Sequence, residues 1–160
     1  VQMARYVTTV ANSGTCYDLT LIEKINDYEG NLVKDNKAIV HNSLDTIAPQ
    51  TWTSVHAGMR RAIVYGSKDD DLIKRIDVEV AGKTGTAQQS KTHPDHGLFV
   101  GFAPSENPEV AFAIRIANGY SSKRAAEVGR DVMKYYYNIG PEDKIITGRA
   151  AALTAASGGD

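Results

Sequence analysis

The sequence predicts an α+β chain in which an antiparallel sheet packs with helices. Three observations carry this. Apolar residues recur at helical spacing near the start, in the middle and after residue 122. Three strand-like runs lie between the second and third of these stretches. The last two runs are joined by a tight connection at residues 104–108, so they pair antiparallel. The chain holds 160 residues, enough for one domain.

In order, Met3, Val7, Val10 and Ala11 share a helical face, and Asn12-Ser13-Gly14 supplies a C-terminal stop. Residues 19–25 read as a strand, Asp27-Tyr28-Glu29-Gly30-Asn31 as a turn, and Leu32-Val33 as the return of a hairpin. Residues 36–43 read mostly as loop. Pro49 suits the first turn of a helix, where a missing N–H costs nothing. Trp52, Val55, His56, Met59 and Ile63 mark one face of that helix, and Gly66 closes it. Residues 67–71 form a polar, acidic loop without calcium-loop spacing. Residues 78–86, 98–103 and 110–116 are the three strands. Ala125, Val128, Val132, Met133, Tyr136 and Tyr137 then mark a last helix. Residues 1–138 are read as the folded portion and 139–160 as a tail of simple composition.

Apolar residues make up 42% and the formal net charge is −1, so no bulk attraction to nucleic acid is expected. Cys16 is the single cysteine and reads as a small packed residue, not a nucleophile. No run approaches the ~20 apolar residues that span a membrane. The opening Val1-Gln2-Met3 is already inside a helical pattern and reads as a cut end.

Residues 81–88, Ala-Gly-Lys-Thr-Gly-Thr-Ala-Gln, carry the chemistry. Gly-Lys-Thr also ends the phosphate-binding loop, but that motif needs glycine at the position of Asp77 and a helix afterwards. Neither condition is met. The alternative is the Lys-Thr-Gly signature of penicillin-recognising acyl-transfer enzymes, set here on a strand. An exposed strand edge can bind an extended peptide by main-chain pairing. Gly85 leaves room for close approach. Lys83 offers a positive charge, and Thr84 and Thr86 offer hydroxyl donors to a carboxylate. An edge strand whose lysine merely blocks aggregation is the plain alternative.

The chain resembles the C-terminal part of the transpeptidase domain of class B penicillin-binding proteins. Residues 1–14, the stretch Ala57-Gly58-Met59-Arg60-Arg61-Ala62-Ile63, the run Lys83-Thr84-Gly85-Thr86-Ala87-Gln88, and Phe99-Val100-Gly101-Phe102-Ala103-Pro104 with Asn107-Pro108-Glu109 are similar to family segments in the family's order. The resemblance implies a partial penicillin-binding or serine β-lactamase-like fold, with three of five strands present. It implies that Lys83, Thr84, Gly85 and Thr86 bind substrate. Lys83 would orient proton transfer, and the Thr86 backbone N–H would form half of an oxyanion hole. No cofactor or metal is implied.

The family's nucleophile is the serine of Ser-x-x-Lys. None of Ser13, Ser43, Ser54, Ser67, Ser90, Ser105, Ser121, Ser122 and Ser157 has lysine three positions later, so no nucleophile is found in this chain. Ser105-Glu106-Asn107 reads as turn chemistry. His41, His56, His93 and His96 lack metal spacing, and His93 and His96 read as surface histidines of a loop beside the site. Tyr135, Tyr136 and Tyr137 read as core and helix surface.

The resemblance implies a parent protein on the outer face of the bacterial cell membrane that cross-links peptidoglycan by serine acyl transfer. Its partners would be the stem peptide, β-lactams and the missing N-terminal part of the same domain. A D,D-carboxypeptidase, a serine β-lactamase-like protein or a silent binding module are the alternatives. The outer edge of the third strand is expected to need that missing part or a second copy.

Overall fold

In a computed structural model the described residues are 1–65 and 78–140. Gly66, the acidic loop at 67–71 and the tail beyond residue 140 lie outside them. The chain runs α1 (Gln2–Ala11), β1 (Thr15–Tyr17), β2 (Lys24–Asn26), β3 (Leu32–Asp35), β4 (Val40–Ser43), α2 (Pro49–Tyr65), β5 (Ala81–Ala87), β6 (His96–Ala103), β7 (Val110–Ile116) and α3 (Ser122–Tyr136).

The central sheet has the order β5-β6-β7 and is antiparallel throughout. Its pairing is uninterrupted: Lys83 faces Val100, Thr84 faces Phe99, Gly85 faces Leu98 and Thr86 faces Gly97. Side chains alternate between the two faces of a sheet, and each face here has its own core. On one side Phe99, Met133, Ala125 and Ala126 are buried, and α3 packs there. On the other side Val7, Val10, Ala11, Ala81 and Phe102 are buried beneath α1 and α2. Phe99 and Phe102, neighbours in alternation on β6, thus anchor opposite cores, both fully buried. Each such side chain contributes roughly 1.5–3 kcal/mol through burial.

The helices end as their residues dictate. Gly14 follows α1 at φ +103, and its N–H bonds to the Thr9 carbonyl at 2.9 Å. A Cβ on Gly14 would also sit 2.8 Å from the Trp52 ring. Ser121 caps α3 and accepts a hydrogen bond from the Lys123 N–H at 3.2 Å. α2 buries little: Ile63 is buried, Trp52, His56 and Met59 are half-buried, and Val55 is exposed.

The sequence expectations hold for all three helices and for the hairpin, with three differences. The hairpin pairs Lys24–Asn26 with Leu32–Asp35, and residues 19–22 are not strand. Thr20 Oγ1 accepts from the Ile22 N–H and donates to the Ile22 carbonyl, a local turn that competes with pairing. Residues 40–43, read as loop, form β4 and pair with β1 across the chain. Their polar composition conceals a strand set by long-range pairing. β5 begins at Ala81, not at residue 78: Glu79 is paired with Arg60 of α2, and Val78 packs against the core beneath α3.

Candidate active site

β5 is an edge of the central sheet among the described residues. The Lys-Thr-Gly-Thr run occupies its middle and C-terminal half. Gly82, just before it, packs so closely that a Cβ would lie 2.8 Å from the Val100 carbonyl oxygen. The run is therefore held against β6 and its outer edge is open.

Alternation divides the four predicted residues. Lys83 and Gly85 lie on the α1–α2 side, and Thr84 and Thr86 on the α3 side. Lys83 and Thr86 are exposed, while Thr84 and Gly85 are half-buried. The Lys83 ammonium donates to the Thr84 carbonyl at 2.7 Å. Beside Lys83 lies a mostly apolar groove of about 440 Å³, lined by Met3, Tyr6 and Val10 of α1, Val55 and Met59 of α2, and Gly85, Leu98 and Val100 of the sheet. A Cβ built on Gly58 of α2 would meet nothing within 4 Å. The lysine thus borders open space between two helices, which Thr84 also lines and Thr86 does not.

The N-terminal end of β5 is fixed by an ionic network. Arg60 of α2 bonds to the Glu79 carboxylate at 3.2 Å and to the Val80 carbonyl at 3.3 Å. The buried Ser105 hydroxyl donates to Glu79 at 3.1 Å. The Ser105 hydrogen bond first, then Arg60, holds the Glu79 carboxyl below the usual range. Ser105 of the Ser-x-Asn therefore packs at the β6–β7 turn, beside the N-terminal end of β5. A cavity of about 1000 Å³, bordered by Trp52, His56, Arg60 and Asn107, opens at that same end. His56 turns to α1 and does not line the groove beside Lys83. Its Nε2 lies 2.7 Å from the Val10 carbonyl, at the last turn of α1.

At the other end of β5, one expectation is corrected. His96 is not a surface loop histidine: it is the first residue of β6, 7% exposed, and pairs with Ala87. Its ring lies between the β5–β6 connection and the turn after β7, contacts that sequence spacing does not reveal. His93 is exposed, as expected, and its Nδ1 lies 3.1 Å from Thr92 Oγ1. Sequence reasoning also missed the Arg60–Glu79–Ser105 network. Cys16 is buried and Tyr135 and Tyr136 are exposed, as read. No helix among the described residues is long and apolar enough to cross a membrane.

Residues 1–134 match the family model of the penicillin binding protein transpeptidase domain. The chain is similar to penicillin-binding protein 2A of Bacillus subtilis (29% identical, covering 87% of this chain and 22% of that protein). It is similar to the peptidoglycan D,D-transpeptidase MrdA of Acinetobacter baumannii (40% identical, covering 36% of this chain and 11% of that protein). Among solved structures, it resembles the imipenem acyl-enzyme complex of penicillin-binding protein A from M. tuberculosis, with TM-score 0.69 and 26% identity over 82% of this chain and 29% of that one. It also resembles Pseudomonas aeruginosa PBP2 in complex with WCK 5153, with TM-score 0.61 and 31% identity over 84% of this chain and 29% of that one. The chain spans 22% or less of the length of those two curated relatives. With its two-sided sheet and its Lys-Thr-Gly-Thr edge strand, the chain belongs to the penicillin binding protein transpeptidase domain family.

Proposed function

We propose that this chain supplies the substrate strand of a peptidoglycan D,D-transpeptidase. The observation that carries this is the placement of Lys83-Thr84-Gly85-Thr86 on an open sheet edge beside a groove. An extended peptide laid along β5 gains main-chain hydrogen bonds from that edge. Because the ligand lies beside the strand, it meets side chains from both faces. Lys83 reaches it from the groove side and Thr86 from the other. Lys83 attracts the substrate carboxylate and orients proton transfer, Thr84 and Thr86 bind the carboxylate, and the Thr86 N–H stabilises the oxyanion. A donor of that last kind is worth about 3 kcal/mol in the transition state.

The nucleophile in this reading is a serine outside this chain, activated by a neighbouring lysine. It belongs to the N-terminal part of the same domain, of which residues 1–138 form the C-terminal portion and 139–160 the tail. The groove beside Lys83 leaves the nucleophile a path to the strand. Alone, the chain is inactive. The serine would take the acyl group of a stem peptide, releasing the terminal D-alanine, and pass it to an amine on a neighbouring strand. β-Lactams would acylate the same serine; acyl-enzyme complexes of that kind are known for the M. tuberculosis structural relative. The complete protein would work on the outer face of the bacterial membrane, where its substrate lies.

Lys83→Ala tests the reading. In the complete protein it should slow penicillin acylation by about 100-fold or more. Because Lys83 is exposed, its melting temperature should stay within error of the parent's. Unchanged acylation kinetics would remove Lys83 from the mechanism.

A further inference from the structure

We propose that His96 is a positioning residue: its imidazole bolts the connection that leaves the substrate strand to the turn that follows β7, and so fixes the C-terminal end of the Lys-Thr-Gly-Thr strand. This rests on the acyl-transfer reading of that strand. His96 Nδ1 accepts a hydrogen bond from the Asn118 backbone N–H at 2.9 Å. A backbone N–H can only donate, so Nδ1 carries no proton. The ring proton of the neutral imidazole therefore sits on Nε2, which lies 2.5 Å from Gln89 Oε1. Both nitrogens are committed, each in the only role its partner permits. The ring itself is buried.

The two partners belong to segments far apart in sequence. Gln89 is exposed and lies two residues beyond the end of β5. Asn118 sits at φ +53 in the turn between β7 and α3. That turn is held against the start of β6 by further contacts. The Tyr120 N–H bonds to the Asp95 carbonyl at 3.1 Å. Gly97, adjacent to His96, packs so closely that a Cβ would lie 2.4 Å from the Ser121 carbonyl oxygen. Other side-chain bonds of the connection, between Ser90 and Thr92 and between Thr92 and His93, stay within it. The Gln89–His96 bond ties it to the sheet and the α3 end.

The consequence falls on the site. His96 pairs with Ala87 and Gly97 with Thr86, so the anchored residues are the strand partners of the last two residues of β5. Main-chain donors work only when held within a fraction of an ångström of the reacting oxygen. Releasing Gln89 loosens the connection at the strand end that carries the Thr86 N–H, an end still paired to β6, without removing any group that touches substrate.

The test uses the complete protein with its own serine and measures the second-order rate of acylation by a fluorescent penicillin, with the melting temperature in parallel. Gln89→Ala and His96→Asn should each slow acylation by about tenfold or more. Gln89→Ala should do so while staying folded at the assay temperature, with only the modest fall in melting temperature that the lost bond to the buried ring brings. His96→Gln, whose amide N–H reaches the place of Nε2–H, should recover most of the rate relative to His96→Asn. Wild-type acylation rates in both Gln89→Ala and His96→Asn would overturn the inference. So would His96 variants that lose acylation only in step with their loss of folded protein. A wild-type protein that penicillin does not acylate would overturn the acyl-transfer reading, and this inference with it.

Discussion

Glu79 accepts a hydrogen bond from Ser105 and pairs with Arg60, and both favour its charged form. Its folded pKa is therefore lower than its unfolded one. The stability it contributes is present above the ordinary glutamate range and is lost as pH falls through the folded value. Melting curves from about pH 7 to about pH 3 should show part of their acid-side fall disappear in Glu79→Gln. An identical fall in the variant would show that this network does not set the acid limit. At this scale the sequence was half legible. Lys83-Thr84-Gly85-Thr86 stood out because its motif and its strand setting can both be read locally. Arg60, Glu79 and Ser105 are ordinary surface residue types, separated by 19 and 26 positions in the chain, and only tertiary packing joins them. His96 was misread for the same reason. Nothing in its neighbourhood signals that the turn at Asn118 will cover it.

Among the elements, α3 illustrates two effects of opposite sign. Gly129 faces the sheet, and a Cβ there would lie 2.6 Å from the Phe99 ring. Replacing a helical glycine with alanine gains about 1 kcal/mol in propensity. Forcing a methyl group into a packed core costs about 1–3 kcal/mol. The Phe99 ring is fully buried, and its other neighbours include Phe112 at 5.2 Å between centroids, so it has little room to retreat. Packing should win, and Gly129→Ala should lower stability by about 1 kcal/mol in a denaturant titration. A more stable variant would mean that the α3–sheet interface is looser than described. The helices and the β6–β7 hairpin were legible because their apolar periods and their tight connection are local signals. β4 was not, since Val40, His41, Asn42 and Ser43 become a strand only by pairing with Thr15, Cys16 and Tyr17. Nor was the division of labour on β6 legible, with Phe99 and Phe102 in separate cores.

Across the whole molecule, helices cover both faces of the central sheet, while β5 and β7 each keep one edge unpaired among the described residues. In the proposed function the β5 edge is for substrate. The β7 edge, Val110–Ile116, has no such use, and open apolar edges recruit other strands. The chain by itself should therefore elute from gel filtration at sizes that grow with concentration, and its complement from the same domain should suppress that growth. A concentration-independent monomer with a sharp unfolding transition would show that the edge needs no cover. The central claim is that this chain holds the substrate strand of an acyl-transfer site whose serine lies elsewhere. Intact-mass spectrometry after incubation with penicillin tests it most directly, first with the chain alone and then with a separately produced N-terminal part carrying Ser-x-x-Lys. The expected result is no adduct on this chain in either sample and an adduct on the added part in the mixture. A stoichiometric adduct on this chain alone would contradict it, because the nucleophile would then lie among its own residues.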